Sequence, residues 1–376
     1  MDDGSLWSIV QNDENKMKIL YVITGLGLGG AEKVVCDLAD QMVLKGHEVK
    51  IAYLTGDRLV IPKSPDVEVI YLALNGIKSF IPASSQYRNI LRSFRPDVVH
   101  AHMVHANIFV RLNRINQKFP KLICTAHNSN EGGKIRMLAY RYTNLLSDIN
   151  TNVSEDASQA LIDKGAFTKD NLMTVYNGID LNKFNINKAQ NNFISVHQNI
   201  IKCISVGRFN EQKDYPNLLN AIALLEKKLE IPVKFQIAGD GVLRLELENL
   251  INKLNLNAYV ELLGNRKDIP QLLNNSKFFI LSSKHEGLPT VVIEAMACGC
   301  FVIATDCGGT AEIMGDTGIL VPPQDSQALA QAMQQALSLT DEQIEVNNKR
   351  ARKRIEELFS LEKSVEKWLE IYEAKQ

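Results

Sequence analysis

The sequence predicts an α/β protein made of two doubly wound, Rossmann-like domains facing a central cleft. Three observations carry that expectation. From residue 18 onward, short apolar runs rich in Val, Ile and Leu alternate with segments of helical periodicity, the pattern of parallel strands covered on both faces. The alternation stops in an Asn-, Gln- and Lys-rich stretch between Asn182 and Asn199 and then restarts. At 376 residues, 45% hydrophobic and 23% charged, the chain is also long for a single core.

Element by element, "KILYVIT" at residues 18–24 reads as a buried strand. Glycines follow, then a helix in which Val34, Val35, Leu38, Met42 and Val43 recur at helical spacing until Gly46 ends it. The runs "EVKIAYL", "VEVIYL", "DVVHAH", "KLICTAH", "DINTNVS" and "NLMTVYN" read as further strands. Helical segments fall at "RNILRSF" and near residues 136–146 and 156–164. Beyond the polar stretch, strands "KCISVGR", "VKFQIAGDG", "YVELLGN", "KFFILSS", "FVIAT" and "TGILV" alternate with helices near residues 216–229 and 243–254, at "IPQLLNN", after Pro289 and from Ser326. In the tail, Val365, Trp368, Leu369 and Tyr372 stand at i, i+3, i+4 and i+7, an apolar stripe that requires a packing partner. The expected organisation is a polar leader at 1–16, a domain at 17–185, a linker at 186–198, a domain at 199–355 and a terminal helix within 356–376.

Composition removes several function classes. A net charge of −1 argues against wholesale wrapping of nucleic acid. Cys36, Cys124, Cys203, Cys298, Cys300 and Cys307 are scattered without Cys-x-x-Cys spacing and read as buried free thiols of a reducing compartment. The polar, acidic start is unlike a signal peptide, and no apolar run approaches the ~18 residues that span a bilayer. A cytoplasmic location is expected, in solution or peripherally on the inner face of the membrane.

The first strand leads into "GLGLGGAE", where Gly25, Gly27 and Gly30 fit G-x-G-x-x-G at the opening of a helix. A nicotinamide site also wants an acid at the end of the second strand, where this chain has Tyr53, Leu54 and Thr55, with Asp57 only after a glycine. The dehydrogenase reading is therefore demoted. Two readings of the glycines stay open, a tight strand-to-helix turn or a loop whose backbone closes on a ligand.

The second half is more informative. Arg208 and Lys213 follow "KCISVG" and Glu286 follows "KFFILSS", all beyond carboxyl ends of parallel strands, where open α/β sheets bind ligands. Pro289 is expected to pre-set a first helical turn, and the N–H groups of Thr290 and Val291 then make an anion site. Carboxylates repel an anion, so Glu286 and Glu294 are better spent on hydroxyl groups at either side of it. An anionic middle with a diol at each end describes a nucleoside diphosphate sugar. Cleaving its sugar–phosphate bond needs a divalent metal or fixed cations on the departing diphosphate. The chain has no Asp-x-Asp pair but does have Arg208 and Lys213, so metal-independent departure is expected, with no metal site and no cofactor. His100, His102 and His105 lack carboxylates at ligand spacing and read as loop residues at the mouth of the cleft, with His47 and His197 on the surface.

Taken in order, "GLGLGGAE", "PDVVHAH", "VGRFNEQKD", "IAGDG", "LLGNRKDIPQLL", "HEGLPTVVIEAMACG", "TDCGGTAEI" and "TGILVPPQD" resemble the retaining family-four glycosyltransferases of the GT-B fold, over nearly all of the chain from Met17. The resemblance implies an acceptor site in the N-terminal domain, a nucleotide-sugar donor site in the C-terminal domain and a last helix that crosses back to the first. It implies Glu286 near the transferred sugar, Glu294 on the ribose, Arg208 and Lys213 as a diphosphate clamp, and Gly29 and Gly30 close to the donor phosphates. Gly239, Gly287, Leu288, Pro289, Thr290 and Val291 fall in the donor-binding motifs, Arg266 in the stretch near the nucleobase, and His127 on a histidine near the sugar. Many members have an aspartate after that histidine; this chain has Asn128. Because Glu294 is placed on the ribose, same-face attack without a covalent intermediate is preferred to a glycosyl-enzyme.

Between Tyr87 and Tyr142, Arg88, Arg92, Arg95, Arg111, Arg114, Lys118, Lys121, Lys134, Arg136 and Arg141 are offset only by Asp97 and Glu131. This basic region reads either as a solvated face or as a surface for an anionic membrane or a lipid diphosphate acceptor. The function expected is transfer from a nucleoside diphosphate sugar, a UDP-sugar by preference, to a glycan or lipid-linked acceptor in surface polysaccharide synthesis. A nucleotide-sugar epimerase or hydrolase of the same fold and a non-catalytic sugar-nucleotide binding subunit are the alternatives.

Overall fold

The computed structural model describes residues 16–115, 121–129, 132–186, 200–226, 229 and 232–374. Nearly all of the expected leader and of the expected linker, with Lys118, Glu131 and His197, lie outside the described residues. The chain divides into two compact units, Met1–Ile123 and Cys124–Gln376. The described residues form two sheets, and every strand pairing with a defined register among them is parallel.

The seven-stranded sheet contains β1 (Lys18–Ile23), β2 (Glu48–Tyr53), β3 (Glu68–Tyr71), β4 (Val98–His102), β5 (Lys121–Ala126), β6 (Ile149–Asn152) and β7 (Met173–Thr174), in the order β3-β2-β1-β4-β5-β6-β7. Helices α1 (Gly30–Leu44), α2 (Phe80–Phe94), α3 (Val104–Arg114), α4 (Lys134–Thr143) and α5 (Glu155–Asp163) connect these strands. The six-stranded sheet contains β8 (Ile201–Val206), β9 (Val233–Ala238), β10 (Val260–Gly264), β11 (Phe278–Leu281), β12 (Phe301–Thr305) and β13 (Ile319–Val321), in the order β10-β9-β8-β11-β12-β13. Its helices are α6 (Tyr215–Glu226), α7 (Arg244–Lys253), α8 (Ile269–Asn274), α9 (Thr290–Ala297), α10 (Thr310–Met314), α11 (Ser326–Leu337), α12 (Asp341–Leu358) and α13 (Leu361–Glu373).

The apolar runs become buried strands because successive side chains enter opposite layers. Phe278 and Ile280 pack in the core beneath α6 and α11, whereas Phe279 and Leu281 pack in the core containing Val292, Ile293 and Met296 of α9 and Ala351 and Ile355 of α12. Each such side chain contributes about 1.5–3 kcal/mol of burial, so a strand covered on both faces tolerates polar residues only at its ends. The tail stripe finds its partner: Val365, Trp368 and Tyr372 of α13 are buried. Backbone bonds from Ile179 to Phe359 and from Leu361 to Ile179 tie the start of that helix to the segment after β7.

Several local expectations are corrected. His100 and His102 are not loop residues but lie in β4, 0% and 1% exposed, with ring centroids 4.0 Å apart. Both rings also pack against Tyr21, so the histidines fill core volume as aromatic bodies. His105 is exposed in the first turn of α3, a helix the periodicity did not indicate. His47 is buried and accepts the Met17 N–H through Nδ1 at 3.2 Å. The basic region is not one solvated face, because Arg111 and Lys121 are buried. The cysteines are all free, with five buried and Cys307 partly exposed.

Candidate active site

In the six-stranded sheet the chain runs outward from β8 to β10, then returns to place β11 on the other side of β8. The carboxyl ends of β8 and β11 therefore flank the point where strand order reverses, the preferred ligand position of open α/β sheets. Arg208 follows β8 by two residues, and a 3-10 turn at Glu211–Lys213 comes next. The loop after β11 carries Ser283 and Glu286.

These two loops are joined at side chain and backbone. The Lys213 ammonium lies 2.6 Å from Glu286 Oε1, and both side chains are largely buried, at 16% and 8% exposure. Ser283 Oγ donates to the same carboxylate oxygen at 2.6 Å, and Gln212 Nε2 donates to Oε2 at 3.2 Å. Three donors on one carboxylate fix its plane and, in turn, the position of the ammonium. Ser282 Oγ donates to the Lys213 carbonyl, the Lys284 N–H donates to the Gln212 carbonyl, and Asn210 accepts the Lys213 N–H. Cys307 sits beside this cluster, its thiol bonded to the Ser283 carbonyl; burial, reinforced by the Glu286 charge, pushes it up to about 11.

The backbone around Glu286 is held from residues 127–154 of the same unit. Ser129 Oγ donates to the Glu286 carbonyl at 2.8 Å and Ser154 Oγ to the Gly287 carbonyl at 3.0 Å. A Cβ at Gly287 would stand 2.0 Å from the His127 carbonyl oxygen, so only glycine permits this approach. His127 follows β5, and burial holds its imidazole down to about 4, which keeps it neutral near pH 7.

Pro289 is the N-cap of α9 rather than its first helical residue, and no side chain caps the helix start at Thr290 and Val291. Leu288 and Glu294 are buried. Gly239 follows β9 with φ +151°, and a Cβ there would lie 1.9 Å from the Gly207 carbonyl oxygen. That glycine is explained by two strand exits packing together, without reference to a ligand.

Comparison with known proteins settles the family. Residues 28–183 match the model described as Glycosyltransferase Family 4, and residues 187–354 match that described as Glycosyl transferases group 1. This chain is a family-four glycosyltransferase. It is 32% identical over 248 residues to an uncharacterized glycosyltransferase of Methanocaldococcus jannaschii, a match that spans 60% of this chain and 59% of that protein. It is 28% identical over 374 residues, 94% of this chain and 98% of the relative, to the GalNAc-alpha-(1->4)-GalNAc-alpha-(1->3)-diNAcBac-PP-undecaprenol alpha-1,4-N-acetyl-D-galactosaminyltransferase of Campylobacter jejuni. The fold matches a crystal structure of Anabaena HepE in complex with UDP-glucose, with a TM-score of 0.80, 21% identity and coverage of 94% and 99% of the two chains.

In this glycosyltransferase, then, the sequence-predicted residues fall into three groups. Lys213 and Glu286 touch, and His127 and Gly287 meet through their backbones. Arg208 is exposed and makes no ion pair among the described residues, while Arg266 forms a two-pronged pair with Asp268 at 2.8 and 2.5 Å. Gly29 and Gly30 belong to the first unit, as the N-cap and first residue of α1. Among the described residues no group of three His, Cys, Asp or Glu side chains converges as a metal cluster. Gln212, Ser283, Ser129 and Ser154 were not anticipated. Only the three-residue spacing of Ser283 and Glu286 in one loop is visible in the sequence; the other contacts join residues 74 or more positions apart.

Proposed function

We propose that this glycosyltransferase acts with retention of configuration, moving a sugar from a nucleoside diphosphate donor, a UDP-sugar, to a hydroxyl of a lipid-linked glycan in surface polysaccharide assembly, without a metal ion. The observation that carries the reading is the buried Lys213–Glu286 pair at the reversal point of the second sheet, its Glu286 four residues ahead of the start of α9, which no side chain caps. A cation oriented by a carboxylate, next to a helix N-terminus, suits a diphosphate whose charge grows as it leaves. The Campylobacter relative is named for a glycan on undecaprenol diphosphate, and the Anabaena neighbour holds UDP-glucose; both support the choice of substrates.

In the proposed reaction the bond between the anomeric carbon and the β-phosphate oxygen breaks and its electron pair leaves with the diphosphate. The acceptor oxygen forms the new bond on the same face, and its proton passes to the departing phosphate oxygen. Lys213 and Arg208 neutralise the leaving group, the N–H groups of Thr290 and Val291 receive it, and Glu286 and Glu294 accept hydrogen bonds from sugar and ribose hydroxyls. His127, neutral at working pH, bonds to the sugar without adding charge.

The test is product analysis with purified protein, nucleotide sugars and a lipid-linked acceptor. The expected product carries the donor's anomeric configuration, forms in the presence of chelator and disappears with Glu286→Ala. An inverted linkage rejects retention, and chelator inhibition reversed by magnesium rejects metal independence. Nucleotide release that needs no acceptor identifies a hydrolase.

A further inference from the structure

Helix α4 and the 3-10 turn after it (Asn144–Leu146) carry an exposed apolar stripe. Ile135 is 84% exposed, Leu138 50%, Tyr142 75% and Leu145 85%. At about 100° per residue, Ile135, Leu138 and Tyr142 fall within roughly 60° of helix arc. Met137 and Tyr140, on the far side of α4, are buried. The helix is thus anchored by one face and offers large hydrocarbon surfaces to water on the other, an arrangement that marks an interaction site.

The charges around the stripe identify the partner. Lys134 and Arg141 border it on one side and Arg136 stands on the other, all exposed. No acidic residue occurs anywhere in residues 132–147. A second copy of this chain seated symmetrically on α4 would set these cations against their own counterparts. Nucleic acid would satisfy the cations but leave Ile135, Leu138 and Leu145 in water. An anionic bilayer satisfies both, phosphates meeting the basic rim and acyl chains the stripe. Among the described residues no helix is long and apolar enough to cross a membrane, so the contact would lie along the surface.

We infer that α4 docks this protein onto an anionic lipid surface, with Ile135, Leu138, Tyr142 and Leu145 entering the boundary between headgroups and acyl chains. The inference deepens the lipid-linked acceptor reading and rests on it for its purpose, because such an acceptor is presented at a bilayer; the binding itself needs no turnover.

Vesicle co-sedimentation of the full chain tests it, with phosphatidylcholine vesicles compared with vesicles that also contain phosphatidylglycerol. Binding is expected to the anionic vesicles, at least about tenfold weaker to the neutral ones, and weaker as salt rises. Ile135→Ser combined with Leu145→Ser should lower partitioning about tenfold while leaving the thermal midpoint and transfer to a water-soluble acceptor unchanged. Lys134→Ala with Arg141→Ala should remove most of the salt-sensitive part. Wild-type protein that ignores anionic vesicles, or a serine variant that still sediments with them, overturns the inference. So does a dimer in sedimentation velocity that the serine variant dissolves while vesicle binding is absent, which would make the face a contact between copies. Failure of vesicle binding with transfer intact defeats only the docking surface, whereas vesicle binding without any transfer defeats only the enzymatic reading.

Discussion

The ammonium of Lys213 and the carboxylate of Glu286, 73 residues apart in sequence, meet at 2.6 Å beyond the carboxyl ends of adjacent strands β8 and β11. Removing either partner strands the other in a largely dry place, but Ser283 and Gln212 still bond the carboxylate. Lys213→Ala should therefore cost about 1–3 kcal/mol in denaturant unfolding, less than the full penalty of an orphaned buried charge. Transfer should fall far more, by about a hundredfold or beyond, because the cation acts where charge develops. Lys213→Met combined with Glu286→Gln should be less destabilising than the sum of the single changes, the signature of a coupled pair. Additive losses in stability would contradict the coupling.

Gly287→Ala tests the packing of the loop that carries Glu286. The new Cβ would meet the His127 carbonyl oxygen at 2.0 Å, its carbon at 2.8 Å and Asn128 Cα at 3.0 Å. All three are backbone atoms, so relief requires moving a chain segment rather than rotating a side chain. A loss above about 2 kcal/mol is expected, together with a large drop in turnover from displacement of the neighbouring Glu286. Wild-type stability in urea would show that the two segments separate easily.

These contacts mark how far the sequence alone could be read. Strands β11 and β12 were legible because a strand buried on both faces is almost wholly apolar, and β9 because buried Val233, Phe235 and Ile237 alternate with Lys234 and Gln236; the positions of Arg208, Lys213 and Glu286 beyond strand ends were legible with the strands they follow. Helix α3 was not, since it starts after Met103 at φ +74° with no capping side chain and buries Asn107, Arg111 and Asn113, which blurs its periodicity. Helix α12 was missed for the opposite reason: of its 18 residues only Ile344, Ala351 and Ile355 are buried, a stripe too thin for hydrophobic spacing to reveal. Its start carried a readable signal nevertheless, the reciprocal capping of Thr340 and Gln343. Ser129 and Ser154 were invisible because a hydroxyl bonded to a distant carbonyl leaves no local pattern.

The neutral His127 gives stability a pH dependence of definite sign. Burial depresses its folded-state value to about 4 from 6.5, so the unfolded chain takes up a proton first as pH falls. Stability from this group is complete above about pH 6.5 and drains away toward pH 4. Thermal midpoints should be level from pH 8 to 7 and decline between about pH 6.5 and 5, before most carboxylates titrate. His127→Gln should flatten that window. An unchanged slope in the variant would assign the decline to other groups.

Glu312 separates hydrogen bonding from charge at the start of α5. Its carboxylate accepts the Glu155 and Asp156 N–H groups at 2.9 and 2.7 Å, satisfying donors that a helix leaves open. The same charge stands near Asp156, whose carboxyl is raised by burial first and then by Glu312 and Asp306. Glu312→Ala removes the acceptor and should cost about 0.5–2 kcal/mol, the range of a lost N-cap. Glu312→Gln keeps one acceptor oxygen and relieves the repulsion, but turns its NH2 donor toward the second backbone N–H, so its loss should be smaller than that of Glu312→Ala without vanishing. Equal losses for the two variants, measured by urea unfolding near pH 7, would mean that one remaining acceptor contributes nothing and that the helix start needs both carboxylate oxygens.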